Sequence, residues 1–393
     1  MPFDFMVYKE SKNLFPVEIK EKCRYYYDLM DIENSWTGRL DVCFANTFLL
    51  ESVQLVVNAI ALFEKGYFDC AFYSLRQSIE LSTTITYLVD KEGEDREKEL
   101  QKWKDQSYFP QFKQMSDFLE KNGSTFIEIK NIMKVYFENL ESVKKKLNKY
   151  VHKQGFQTFY VSKNHPFHQK ISREKFIAEF EEYLKVCIGA IAVFRLTVDP
   201  FPILLMDEEI YHRTGDLLTD AYSQDFIDRY IGQNYIEDFK KTSNYITLYD
   251  FLMKEEKRAP CVTWVIKDHF IDNKNIDTIM KQFHLLDLDE FASVVLVSVS
   301  NKINNIFCGN ILRQYTSSNA PLNDNVSYND DELIEFKKSG IKYNNKYNDG
   351  FLSIATIYGN QYCFTHNEML NEQEIYILDH IANEFGQSPD ILS

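Results

Sequence analysis

The stretch KKKLNKYVHKQG, residues 144–155, gathers Lys144, Lys145, Lys146, Lys149, Lys153 and His152 in a chain whose formal net charge is −15. Cations beside an imidazole are what a phosphate site requires. Lysine neutralises the phosphate, and histidine titrates close enough to neutral pH to carry a proton. The same run also has a plain structural reading, because the dipole of a helix favours basic residues in its last turn. Both readings stand at this point.

Helical geometry selects among these residues. At the α-helical period Glu141, Lys145, Asn148 and His152 form one stripe, with steps of four, three and four, while Lys146 and Lys149 fall on other faces. The stripe flanks an apolar seam. After KNGST, which supplies a glycine and then Ser/Thr caps, Phe126, Ile129, Met133, Tyr136, Leu140, Val143, Leu147 and Tyr150 recur at steps of three and four. The pattern predicts one long helix from about 126 to 150, ended by Gly155.

A second pair of charges interrupts an apolar helix upstream. Arg76 and Glu80 stand four apart in LRQSIE. They read either as a partly buried ion pair or as a cation that Arg76 lends in space to the His152 stripe.

Helical spacing of Leu49, Val53, Val56, Ile60 and Phe63, and then of Phe72, Leu75, Ile79 and Tyr87, predicts helices at 41–64 and 68–90, joined by the short EKGYFDC connection as antiparallel neighbours. Two shorter helices are expected within 94–121. A further one at 174–198 is closed by DPFP, whose prolines cannot continue it. Residues 1–200 thus read as an all-helical bundle, 201–232 as a connecting segment with apolar docking, and 233–393 as a mixed α/β domain, so the fold class is α+β. Helices are expected at about 224–231, 234–254, 273–285, 329–339 and 371–386. PCVTWVI, SVVLVSVS and FLSIATIY-GN-QYCFT are β-branched and alternating, and read as strands, the last two runs joined through Gly359-Asn360 as a hairpin.

A helical bundle with a polar motif ending in His near the close of its last long helix resembles the HEPN superfamily, whose nuclease members carry Arg, four to six residues, then His. YSLRQSIELSTTITYL followed by LNKYVHKQG carries the resemblance, over about residues 40–200. The chain departs from the motif: positions 145, 146 and 147 hold Lys, Lys and Leu. Lys145 has the longest permitted spacing and shares the His152 face, but lysine lacks the planar fork of arginine. The resemblance implies metal-independent RNA cleavage, in which a ribose 2′-hydroxyl attacks the adjacent phosphorus while histidine moves the proton. It also implies paired protomers, with His152 of two chains lining one cleft.

Other features carry less chemistry. The acidic balance argues against a surface that wraps long nucleic acid, but permits a local basic site. With 45% hydrophobic and 26% charged residues, the 393-residue chain has ample material for globular cores. Seven scattered cysteines, at 23, 43, 70, 187, 261, 308 and 363, form no C-x-x-C pair and read as small core residues. His165 and His168 lie three apart in NHPFHQK, and Asp207, Glu208, Glu209 and His212 cluster in MDEEIYH, but neither group completes a metal site. No Walker loop, GxGxxG or nucleophile elbow is present, and His366 has no partner in sequence that completes a site. No cofactor is implied. MPFDFMVYKESKNLF lacks the pattern of a signal peptide, and VQLVVNAIALF and VCIGAIAVF are too short to span a bilayer, so a cytoplasmic location is expected.

Two functions follow as expectations. The first is a homodimeric HEPN-like effector that cleaves RNA, or binds RNA or a nucleotide, at a local basic site. The resemblance associates this with toxin–antitoxin or phage-defence systems, with a regulatory protein as a further partner. His152 would be the acid/base, Lys145 and Arg76 the phosphate stabilisers, and Asn148 the orienting group. The second is a catalytically silent dimerisation or ligand-sensing bundle with a regulatory C-terminal domain.

Overall fold

The computed structural model describes residues 3–11, 16–91, 93–108, 110–164, 172–215, 217–308, 313–319, 336, 338, 340–347 and 349–385. The fold is α+β, with an N-terminal helical part and a mixed six-stranded sheet in the C-terminal region. Two compact units are distinct. One comprises Met1–Tyr211 with Leu217–Lys254, the other His212–Asp216 with Glu255–Ser393. The first unit therefore runs past residue 232, where the sequence suggested the second domain begins, because the helices up to 252 pack on the bundle.

The first unit begins with α1 (Phe5–Ser11) and α2 (Lys22–Glu33). The hairpin of α3 (Phe44–Glu64) and α4 (Phe68–Val89) follows, then α5 (Gly93–Lys104), α6 (Phe112–Asn122), α7 (Ser124–Ile132) and α8 (Lys134–Val151). Short α9 (Tyr160–Asn164) precedes the long α10 (Arg173–Arg195). After α11 (Phe201–Leu204), α12 (Glu208–Tyr211) and α13 (Gln224–Phe226), a π-helical turn over Ile227–Ile231 leads to α14 (Gln233–Phe239) and α15 (Ser243–Leu252).

The α3–α4 turn forms because Gly66 takes a left-handed φ of 83°, letting Tyr67 N–H reach back to the Leu62 carbonyl, 2.9 Å away. Leu49, Val53, Val56, Ile60 and Phe63 then face Phe72, Leu75 and Ile79 in one buried core. Each such side chain contributes about 1.5–3 kcal/mol when fully buried. Helix α3 is the one described helix long and apolar enough to cross a bilayer, a property the shorter run read from the sequence did not reveal, and 44% of its most apolar window is buried in the bundle.

The apolar seam expected over 126–150 is buried at all eight positions. It is carried by two helices instead of one, because Met133 leaves helical geometry at φ −95° and ψ 35°. The second of them, α8, also stops earlier than Gly155. Lys153 adopts φ 52° and Gln154 N–H closes onto the Lys149 carbonyl at 2.9 Å, which makes His152 the last residue of the helical path.

In the second unit α16 (Pro260–Asp268), α17 (Ile276–Lys281), α18 (Leu288–Val299) and α19 (Glu372–Glu384) accompany the sheet. Its strands are β1 (Phe270–Ile271), β2 (Ile303–Cys308), β3 (Arg313–Ser317), β4 (Asn345–Tyr347), β5 (Gly350–Ile357) and β6 (Asn360–His366), in the order β1-β3-β2-β6-β5-β4. PCVTWVI and SVVLVSVS are helical, not extended. Pro260 opens α16 at a position where its missing N–H costs nothing, and Asp287 and Glu290 form a reciprocal capping box that starts α18. The predicted β5–β6 hairpin is present, with its turn one residue earlier: Tyr358 and Gly359 both have positive φ, and Ile357 pairs with Asn360. The helix expected at 273–285 is a short α17 flanked by single 3-10 turns. Most of the helix expected at 329–339 lies outside the described residues.

Candidate active site

Helix α4 brings Arg76 and Glu80 to the edge of its apolar stripe, and α8 brings Lys144, Asn148 and His152 past them. The helices are tied together by the ring of Tyr150, which stacks on Phe72 at 4.1 Å and donates to Glu179 of α10 at 3.0 Å. One helical turn before His152, Asn148 Oδ1 accepts from Arg76 Nε at 2.7 Å. The same guanidinium donates from Nη1 and Nη2 to the two carboxylate oxygens of Glu80, at 2.8 and 2.6 Å. Both partners are about four-fifths covered, at 19% and 17% side-chain exposure.

Burial raises the Glu80 carboxyl above its ordinary range, against the opposing pull of Arg76, Lys144 and His152. The same burial lowers the Lys144 ammonium, against Glu141 and Glu80. Lys144 Nζ lies 3.2 Å from the centroid of the Phe112 ring and 3.3 Å from Glu141. A cavity of about 450 Å³ opens here, lined among others by Arg76, Glu80, Trp103, Phe112, Lys144 and Asn148.

Of the residues selected from sequence, Arg76 and Asn148 are in direct contact, and His152 lies exposed at the end of α8, near enough to Glu80 to act on its charge. Lys145 is not brought into the cluster. Its side chain is 70% exposed, with Glu141 at 3.9 Å. Lys144 takes the inward place instead, since consecutive helical residues are separated by about 100°. Which lysine faces α4 depends on where that neighbouring helix lies, and the α8 stripe alone did not contain this. Leu147, which occupies a motif-arginine position, is fully buried.

Among the described residues, the remaining sequence candidates have structural partners. His366 is buried, its Nδ1 2.7 Å from the Glu368 carbonyl and its Nε2 2.8 Å from Ser353 Oγ. The carbonyl can only accept, so Nδ1 carries the hydrogen and Ser353 donates to Nε2. Burial lowers the pKa of this imidazole. His212 contacts Thr263 Oγ1 at 2.8 Å, and Asp207 accepts from the backbone of Glu209. His165 and His168 lie outside the described residues. Among the described residues no three His, Cys, Asp or Glu side chains form a group that could hold a metal ion. Cys187, Cys261, Cys308 and Cys363 are buried, whereas Cys23, Cys43 and Cys70 are exposed, contrary to the core role read for all seven. Cys43 and Cys70 lie at the start of the apolar helices α3 and α4, where neighbouring apolar residues mislead, whereas Cys23 stands between Lys22 and Arg24.

No protein-family model, curated protein or solved structure matches this chain.

Proposed function

We propose that the helical unit is a HEPN-like, metal-independent ribonuclease acting as a homodimer, with RNA phosphate bound beside Arg76 and His152. The observation that carries this reading is the Arg76–Asn148 hydrogen bond, which puts an arginine one turn from His152 although the sequence around His152 has none. Arginine presents five N–H donors, and three are used by Asn148 and Glu80, so one on each Nη remains for a phosphate oxygen.

In the proposed reaction the ribose 2′-oxygen attacks phosphorus and the P–O5′ bond breaks. His152 accepts the 2′-hydroxyl proton, and His152 of the partner subunit, protonated, donates to the departing 5′-oxygen. Arg76 offsets the negative charge that builds on the phosphorane oxygens. The products are a 2′,3′-cyclic phosphate and a 5′-hydroxyl. Both protein and RNA would meet in the cytoplasm, and a defence or toxin–antitoxin role with a regulatory protein partner belongs to the same proposal. The test is end-group analysis of RNA incubated with the protein in chelator. Cyclic phosphate ends support the reading; 3′-hydroxyl ends contradict it.

A second reading, a catalytically silent sensing or dimerisation bundle, is favoured by one observation. Glu80 already sets its carboxylate charge against the guanidinium of Arg76, so less of that charge is left to attract a phosphate.

A further inference from the structure

A second and larger cavity, of about 810 Å³, lies between α4, α6, α7, α8 and α10 and shares Phe112, Lys113, Glu141 and Lys144 with the cavity beside Arg76. Its size falls within the range that encloses a small organic ligand. Four phenylalanines, Phe112, Phe126, Phe137 and Phe194, give it an apolar aromatic floor; the last three pack on one another within the core, and Phe112 carries Lys144 on its face.

The rim is the opposite in character. Five lysines, Lys113, Lys130, Lys134, Lys144 and Lys145, stand against three glutamates, Glu120, Glu138 and Glu141, a local positive excess in a chain of net charge −15. Lys130 is held by Glu120 at 2.7 Å and Lys134 lies 3.8 Å from Glu138. Glu141 serves both Lys144 and Lys145, at 3.3 and 3.9 Å, so its single charge is divided between two ammonium groups. Lys144 is the inner of the two, 13% exposed against 70% for Lys145. Its charge is desolvated and pressed on the ring of Phe112, and the two carboxylates that act on it are both shared, Glu141 with Lys145 and Glu80 with Arg76, so it stays under-compensated where a negatively charged ligand group would gain most.

We propose that this cavity binds an amphipathic small-molecule anion, with an aromatic body on the phenylalanine floor and one sulfonate, carboxylate or phosphate group on Lys144. The inference does not rest on the ribonuclease reading. An inorganic anion alone would leave the aromatic floor wet, and a purely apolar molecule would leave Lys144 under-compensated; the combination satisfies both.

The probe is 8-anilino-1-naphthalenesulfonate, titrated by fluorescence into the full chain, with neutral N-phenyl-1-naphthylamine as its chargeless counterpart. The proposal expects one saturable site for the sulfonate. Lys144→Met, which keeps the apolar stem and removes the charge, weakens the sulfonate at least about tenfold and leaves the neutral dye unchanged, as expected for loss of a charge-assisted contact. Ser116→Trp, at the half-buried edge of the cavity, weakens both dyes by filling the space. Far-ultraviolet circular dichroism verifies that each variant is folded, and either variant alone suffices for the test. Equal sulfonate affinity in Lys144→Met, or unchanged binding of both dyes in Ser116→Trp, overturns the proposal. So does displacement of the sulfonate by an RNA decamer, which would give the cavity to a nucleic-acid strand.

Discussion

Arg76 Nε donates to Asn148 Oδ1 at 2.7 Å between α4 and α8, the two residues lying 72 apart in sequence. Asn148 is thereby more than a neighbour of His152. It fixes the edge of a guanidinium whose other two nitrogens are fixed by Glu80. Asn148→Ala removes a positioning contact, so it should lower kcat for RNA by about tenfold or more while KM changes little. Asn148→Asp, which keeps an acceptor for Nε, should recover most of kcat. A purely structural Asn148 would show neither the kcat-specific loss nor the rescue.

The Arg76–Glu80 pair should behave as a unit in stability. Arg76→Met strands a largely buried carboxylate and should cost roughly 2–3 kcal/mol in urea unfolding, reduced from the fully buried case because a fifth of each side chain is exposed. Arg76→Met combined with Glu80→Leu should regain most of that loss. Additive losses in the double variant would mean the two residues are energetically independent.

Asp90 gives a pH signature. Burial pushes its carboxyl up to about 6, although the Phe126 N–H at the start of α7 donates to it. An acid whose folded pKa is raised is favoured in its protonated form. Stability therefore falls as pH rises through the window from about 4 to about 6, and the penalty persists above it. Asp90→Asn should be more stable than the parent by about 1 kcal/mol at pH 7, after allowing for partial solvent access. The difference should vanish below about pH 4. Thermal melts of both proteins across that range check the sign.

Gly189 marks the closest approach of α10 to the π-helical turn. A Cβ there would lie 2.2 Å from the Tyr230 carbonyl oxygen and 3.0 Å from the Tyr136 hydroxyl. The obstacle is backbone, so it cannot rotate away. Gly189→Ala should cost about 2–3 kcal/mol or more, measured by urea unfolding. A loss below about 0.5 kcal/mol would mean that the turn yields.

Much of the helical unit was legible because its seams are long and strictly periodic, as in Leu140, Val143, Leu147 and Tyr150. The two misread strands show the limit of propensity. Val262, Val265, Val294 and Val297 are β-branched, yet they lie buried on helices, where packing outweighs local preference. The capping box Asp287–Glu290 and the N1 proline Pro260 were the available signals against strands. In the site, Arg76 was legible as a candidate because it interrupts an apolar helix, and Asn148 because it shares the His152 stripe beside the apolar seam. Lys144 was not: adjacent helical residues differ by a large rotation, and only the position of Phe112 and α4 decides which lysine turns inward.

The most direct test of the central claim is cleavage of a mixed RNA pool in excess EDTA by the intact protein, by His152→Ala and by Arg76→Ala. The account predicts cleavage by the intact protein that falls at least about a hundredfold in His152→Ala and is also reduced in Arg76→Ala. Cleavage by His152→Ala at the intact protein's rate, or no cleavage by the intact protein, would contradict it.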